Sequence, residues 1–206
     1  MKVAQEIETN DWIKKYKVGI NITIVLLLAV GLLVYALYTP ARQGYSRSEN
    51  PELFFSDEDW VEYISDEAGF SIEMPQEPEV DTFTEASYET KEVLVTSEAE
   101  ELIVQYGDYQ GDIDPTNPTA TLVNALQGGL LEVEGISLTD TDQFEIQDYP
   151  AIEFRAQSRI EGIFMQGVYV LIDQELFTLL YVSDDPSEVV ADKFFSSLVI
   201  FEEPIN

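Results

Sequence analysis

Positions 69–80, GFSIEMPQEPEV, carry the pattern that recurs through most of the chain. Phe70, Ile72 and Met74 alternate with Ser71 and Glu73, the period of a strand that buries one face. The turn formers Asp66, Glu67, Ala68 and Gly69 precede it, and Pro75 and Pro78, which cannot continue a ladder, mark its exit. Just upstream, Trp60 and Ile64 with Val61 and Tyr63 on the other parity predict a partner strand. A hairpin is expected over 87–96 and 101–109, from Tyr88, Val93 and Val95 and then Leu102, Val104 and Tyr106, turning at 97–100. Four more strands are expected at 136–146, 151–158, 163–172 and 176–183, and a short one at 198–201. Their turns fall at Asp148-Tyr149-Pro150, Glu161-Gly162 and Asp173-Gln174-Glu175.

Two segments change to a helical period. Asn117 caps the first, with Pro118 at its first position. Leu122, Leu126 and Leu130, with Val123 and Val133 beside them, mark its buried face, and Gly135 can end it. Gly128 and Gly129 weaken it locally. The second is expected to start at Asp185 as cap and Pro186, with Val190 and Phe194 buried and Val189 beside them. Strands in series with one mid-chain and one terminal helix predict an α+β domain over 53–206, built on an antiparallel β-sheet flanked by helices.

The N-terminal part follows neither pattern. Positions 18–38, VGINITIVLLLAVGLLVYALY, hold no charge, and as a helix of 21 residues they extend about 31 Å, the thickness of a hydrocarbon core. Trp12, Tyr16, Tyr35 and Tyr38 stand where amphipathic rings favour the interface. A cleavable signal peptide fits less well, because its apolar region is shorter and Tyr38, Thr39 and Pro40 make a poor cleavage site. The expected plan is therefore an N-terminal segment 1–17, a transmembrane helix 18–38, a polar tether 39–52 and the domain 53–206. Lys14, Lys15 and Lys17 crowd the near boundary, whereas Arg42 and Arg47 are followed by no lysine until Lys91. The positive-inside rule then places the N-terminus in the cytoplasm and the domain in the periplasm or outside the cell.

Charge sharpens this picture. Three of 40 acidic and four of 10 basic residues precede the span, giving net charges of +1 before it and −31 after it. Such a surface repels nucleic acid and anionic lipid, and attracts cations or basic partners. The chain has neither cysteine nor histidine, so thiol chemistry, disulfides and imidazole catalysis or ligation are excluded.

Three motifs resemble the PsbP-like superfamily, whose namesake is an extrinsic subunit of the photosystem II oxygen-evolving complex. They are W..Y.S.E.GFSI.MP..P at 60–78, YPAIEFR at 149–155 and DKFFSSL at 192–198. The resemblance spans about 145 residues and rests on turn and core positions, which speak for fold more than for function. It implies an antiparallel sheet with packed helices serving as a non-catalytic binding or assembly module. No functional residue of the namesake maps onto this chain, and the histidine-dependent metal binding suggested for some members is excluded here.

Candidate sites are few. Asp108, Asp112 and Asp114 could offer oxygens to a hard cation, but the spacing fails as an EF-hand, with Asn117 at position 6 and Val123 at position 12. Arg155 and Arg159, four apart on an expected strand, share a face and could clamp a carboxylate or form structural ion pairs, as could Lys91 and Lys193. Ser196 and Ser197 lack a base, and no glycine-rich phosphate loop is present. No catalytic, cofactor-binding or metal residue is assigned, and no cofactor is expected. The expected function is a membrane-anchored accessory subunit, with the lipid bilayer and another membrane protein or complex as partners. An exported receptor for a small or lipidic ligand is the alternative, and a carboxylate- or cation-dependent enzyme the third reading.

Overall fold

The computed structural model describes residues 44–85, 88–109, 113–114, 116–130, 135–158 and 162–201. The expected span at 18–38 lies outside them. Among the described residues no helix is long and apolar enough to cross a membrane.

After a short 3-10 turn at Pro51–Leu53 come β1 (Val61–Ser65), β2 (Phe70–Met74), β3 (Glu79–Glu85), β4 (Tyr88–Thr96), β5 (Glu100–Asp108) and helix α1 (Pro118–Gly129). Then follow β6 (Ile136–Ile146), β7 (Tyr149–Ser158), β8 (Phe164–Ile172), β9 (Glu175–Ser183), helix α2 (Glu188–Ser196) and β10 (Val199–Ile200). All strand pairs are antiparallel. The α+β class is therefore as expected, but the strands form two sheets. Seven run in the order β3-β4-β5-β9-β8-β7-β6, and β1-β2-β10 form a small separate sheet.

The small sheet and α2 cover one face of the large sheet. There Phe70, Ile72, Met74, Val190 and Phe194 pack on Val93, Val104, Val168, Leu179 and Tyr181. Phe70 meets Tyr106 and Phe177 edge-on at ring-centroid distances of 5.2 and 5.5 Å, and those two rings stack at 5.6 Å. Each such pair adds about 0.5–1.5 kcal/mol beyond area burial. Helix α1 covers the second face, where Leu122 and Leu126 meet Ile152, Phe154, Tyr169 and Leu180. The opening motif is thus explained: β2 is the central strand of the small sheet, and its three alternating apolar side chains are wholly buried.

Four local expectations are corrected. β3 was not expected; its apolar Val80 and Phe83 fall on opposite parities and both stay about half exposed, so no alternation marks it. Helix α1 ends at Gly129, before Gly135, which instead takes φ +90° ahead of β6. Tyr149 and Pro150 belong to β7, and the hairpin turns on Gln147 and Asp148, both with positive φ. Helix α2 is capped by Ser187, whose hydroxyl accepts from Val190 N, and not by Asp185. The two edge strands of the large sheet are acidic, and along β6 the carboxylates of Asp140 and Asp142 accept from the N–H of Thr141 and Gln143 at 3.0 and 2.9 Å.

Candidate functional site

Two features meet at the end of the large sheet where β5 begins and β9 ends. The first is a buried carboxylate. Glu100 opens β5 opposite Ser183 of β9, and its side chain has no exposure. Burying a bare carboxylate is costly, so donors must surround it. Four do: the Arg47 guanidinium, the Tyr181 hydroxyl, Phe55 N at 2.6 Å and the Ser183 hydroxyl at 3.4 Å. Arg47 also donates to Phe55 O at 3.1 Å and lies over the Phe54 ring at 4.5 Å, while its Nε is buried without a partner. Burial, the neighbouring Glu100 charge and the hydrogen bond donated to it push the Tyr181 hydroxyl up to about 12.

The chain leading into Arg47 is fastened at the same place. Tyr45 N donates to Asp184 Oδ2 at 3.3 Å and Arg47 N to Asp185 Oδ2 at 2.9 Å. Asp185 is therefore engaged by the incoming chain, two residues before Ser187, the cap of α2. Tyr45 and Arg47 of the expected tether are thus hydrogen-bonded to the domain, whereas Ser48, Glu49, Pro51 and Glu52 are exposed.

The second feature is a groove of about 260 Å³ on the face that α2 covers only in part. Strand register builds its floor. Arg155 stands opposite Gln166, which stands opposite Tyr181; Gln157 stands opposite Phe164, which stands opposite Ser183. Residues so paired lie side by side on one face. Thr139 borders the floor at the β6 bulge, and Pro186, Ser187 and Glu188 form the wall. Tyr181 joins the two features, since its hydroxyl accepts from Ser187 N at 3.0 Å while bonding Glu100.

The residues singled out in the sequence are dispersed. Asp112 and Arg159 lie outside the described residues, and Asp108 closes β5. Asp114 turns inward on its own loop: Oδ1 accepts from Thr116 N at 2.9 Å and from its hydroxyl at 2.7 Å, and these bonds hold the carboxyl below its ordinary value. Among the described residues no group of three acidic side chains could hold a metal. Lys91 bonds Glu67, which raises its pKa, and lies 3.8 Å from Glu89. Lys193 donates to Asp57 O at 2.9 Å and sits 4.8 Å over the Trp60 ring. Ser196 and Ser197 bond the carbonyls of Lys193 and Phe194 at the end of α2. Arg155 alone of the group lines the groove. Arg47, Glu100, Tyr181 and Ser187 were missed, for Arg47 was placed in the tether and Glu100 in a turn.

No family model matches the chain, and no curated protein does. Among solved structures it is similar to PA94, a protein of unknown function from Pseudomonas aeruginosa, at 16% identity over 64% of this chain and 87% of that one, with a TM-score of 0.35. At that level the likeness speaks for neither family nor function.

Proposed function

We propose that the chain is a single-pass membrane protein presenting a non-catalytic, PsbP-like α+β domain as a binding or assembly module for another membrane component. The observation that carries this reading is the fastening of residues 45–47 to Asp184, Asp185 and Glu100. Six residues separate Tyr38, at the end of the apolar run, from Tyr45. Fully extended, that connection spans about 25 Å. A domain held so close to the bilayer by a buried clamp has little freedom to roam, and its local concentration favours components in the same membrane. The helices on opposite faces of an antiparallel sheet suit the family resemblance.

The absence of cysteine makes the test clean. A membrane-impermeant maleimide should label Glu58→Cys in intact cells and Thr9→Cys only after permeabilisation. Equal labelling of both would overturn the orientation. Purification of the full-length chain in mild detergent should bring a companion in fixed stoichiometry; a clean monomer would overturn the assembly reading.

A further inference from the structure

The groove beside Tyr181 has a charge arrangement that selects a ligand class. Four cationic side chains belong to the described residues, and three are engaged by hydrogen bonds: Arg47 with Glu100, Lys91 with Glu67, and Lys193 with Asp57 O. Arg155 is different. Its side chain is 51% exposed, and its ion-pair contact is Nε to Glu153 at 3.7 Å, beyond hydrogen-bonding range. Glu153 is itself occupied by the Gln166 amide at 2.9 Å. The Arg155 fork is therefore open to a planar or tetrahedral oxyanion. Gln157 stands two residues along the same strand, with Phe164 opposite it and 39% exposed on the floor. Across the groove, exposed Glu188 stands in the first turn of α2.

A simple anion approaching this site meets a chain of net charge −30 and is repelled at long range. A simple cation leaves the Arg155 fork unanswered. A ligand that carries both charges and no net charge avoids both penalties. We propose that the groove binds a small zwitterion, with its oxyanion on Arg155 beside the Gln157 amide, its ammonium toward Glu188, and its methylene spacer over Phe164. A volume of about 260 Å³ suits a compact molecule of this kind. The chemistry has two sources, a dissolved amino-acid-type solute or the headgroup of a zwitterionic lipid. This proposal stands independently of the partner reading above.

The test is calorimetric titration of the full-length chain, held in a non-ionic maltoside micelle, with glycerophosphoethanolamine and with glycine. Dimethyl phosphate and ethanolamine serve as the single-charge halves. One zwitterion should bind at least about tenfold more tightly than either half, and Arg155→Gln and Glu188→Gln should each weaken it by about tenfold. Both side chains are solvent-accessible, and unchanged melting curves confirm that each variant folds. Tighter binding of glycerophosphoethanolamine assigns the headgroup, and tighter binding of glycine assigns the solute. The proposal is overturned if neither zwitterion binds up to about 10 mM, if ethanolamine or dimethyl phosphate alone binds as tightly, or if either variant retains full affinity.

Discussion

Arg47 and Glu100, separated by 53 residues in sequence, form an ion pair in which the carboxylate is wholly buried. Removing one partner of such a pair leaves an uncompensated charge, at a cost of about 3–5 kcal/mol. Arg47→Ala should therefore lower stability by roughly that amount in urea unfolding. Adding Glu100→Gln to Arg47→Met should recover part of the loss, because the stranded charge goes too. A glutamate-specific protease should cut faster after Glu49 or Glu52 in Arg47→Ala, and unchanged cutting would mean the segment is held by other contacts.

Alkali should loosen the same clamp. Tyr181 titrates near 12 in the folded protein against an ordinary 10.0. A phenol whose pKa rises on folding contributes stability that is complete below pH ~10 and is lost as pH climbs through ~12, up to about 3 kcal/mol in all. Tyr169, raised by burial alone, adds to the same loss. Unfolding free energies at pH 9 and above 11 measure the step, and Tyr181→Phe should shrink it.

Glu92 predicts the opposite kind of change. Burial, then repulsion from Asp81, raises its carboxyl above 4.5, and the Gln105 amide only partly offsets this. Its contribution to stability is present below about pH 4.5 and is lost as pH rises through the folded value. At neutral pH the ionised group is a cost. Glu92→Gln should therefore be more stable than the parent in urea unfolding at pH 7, with the gain fading at pH 4.

A methyl group has no room at Gly167. A Cβ there would lie 2.4 Å from Phe154 Cζ and 3.0 Å from Leu179 O. Gly167→Ala should cost about 1–3 kcal/mol through displaced packing, read as a lower urea midpoint with unchanged slope.

What the sequence made legible were the elements whose burial is one-sided and periodic. Phe70, Ile72 and Met74 announced β2, and Leu122 and Leu126 announced the buried stripe of α1. β3 stayed hidden because an exposed edge strand needs no alternation. The groove and the clamp were hidden for a different reason. Arg155 meets Gln166 and Tyr181 only through the register of three strands. Glu100 sits between Glu98, which is exposed, and Glu101, which is buried with it, and nothing local marks Glu100 as the carboxylate that will pair with Arg47. Its partner lies in a polar run whose composition reads as linker. A buried ion pair between distant segments leaves no periodic trace in either.

The side-chain bonds along β6 have a consequence for crowding. An exposed strand edge offers its N–H groups to any other extended chain, a neighbouring copy included. In β6 the N–H groups of Thr141 and Gln143 are already taken by Asp140 and Asp142. The same carboxylates place repulsive charge where a second β6 would have to lie. At these two positions the β6 edge is insulated twice, by spent hydrogen bonds and by like charge, and pairing of a second strand there is disfavoured.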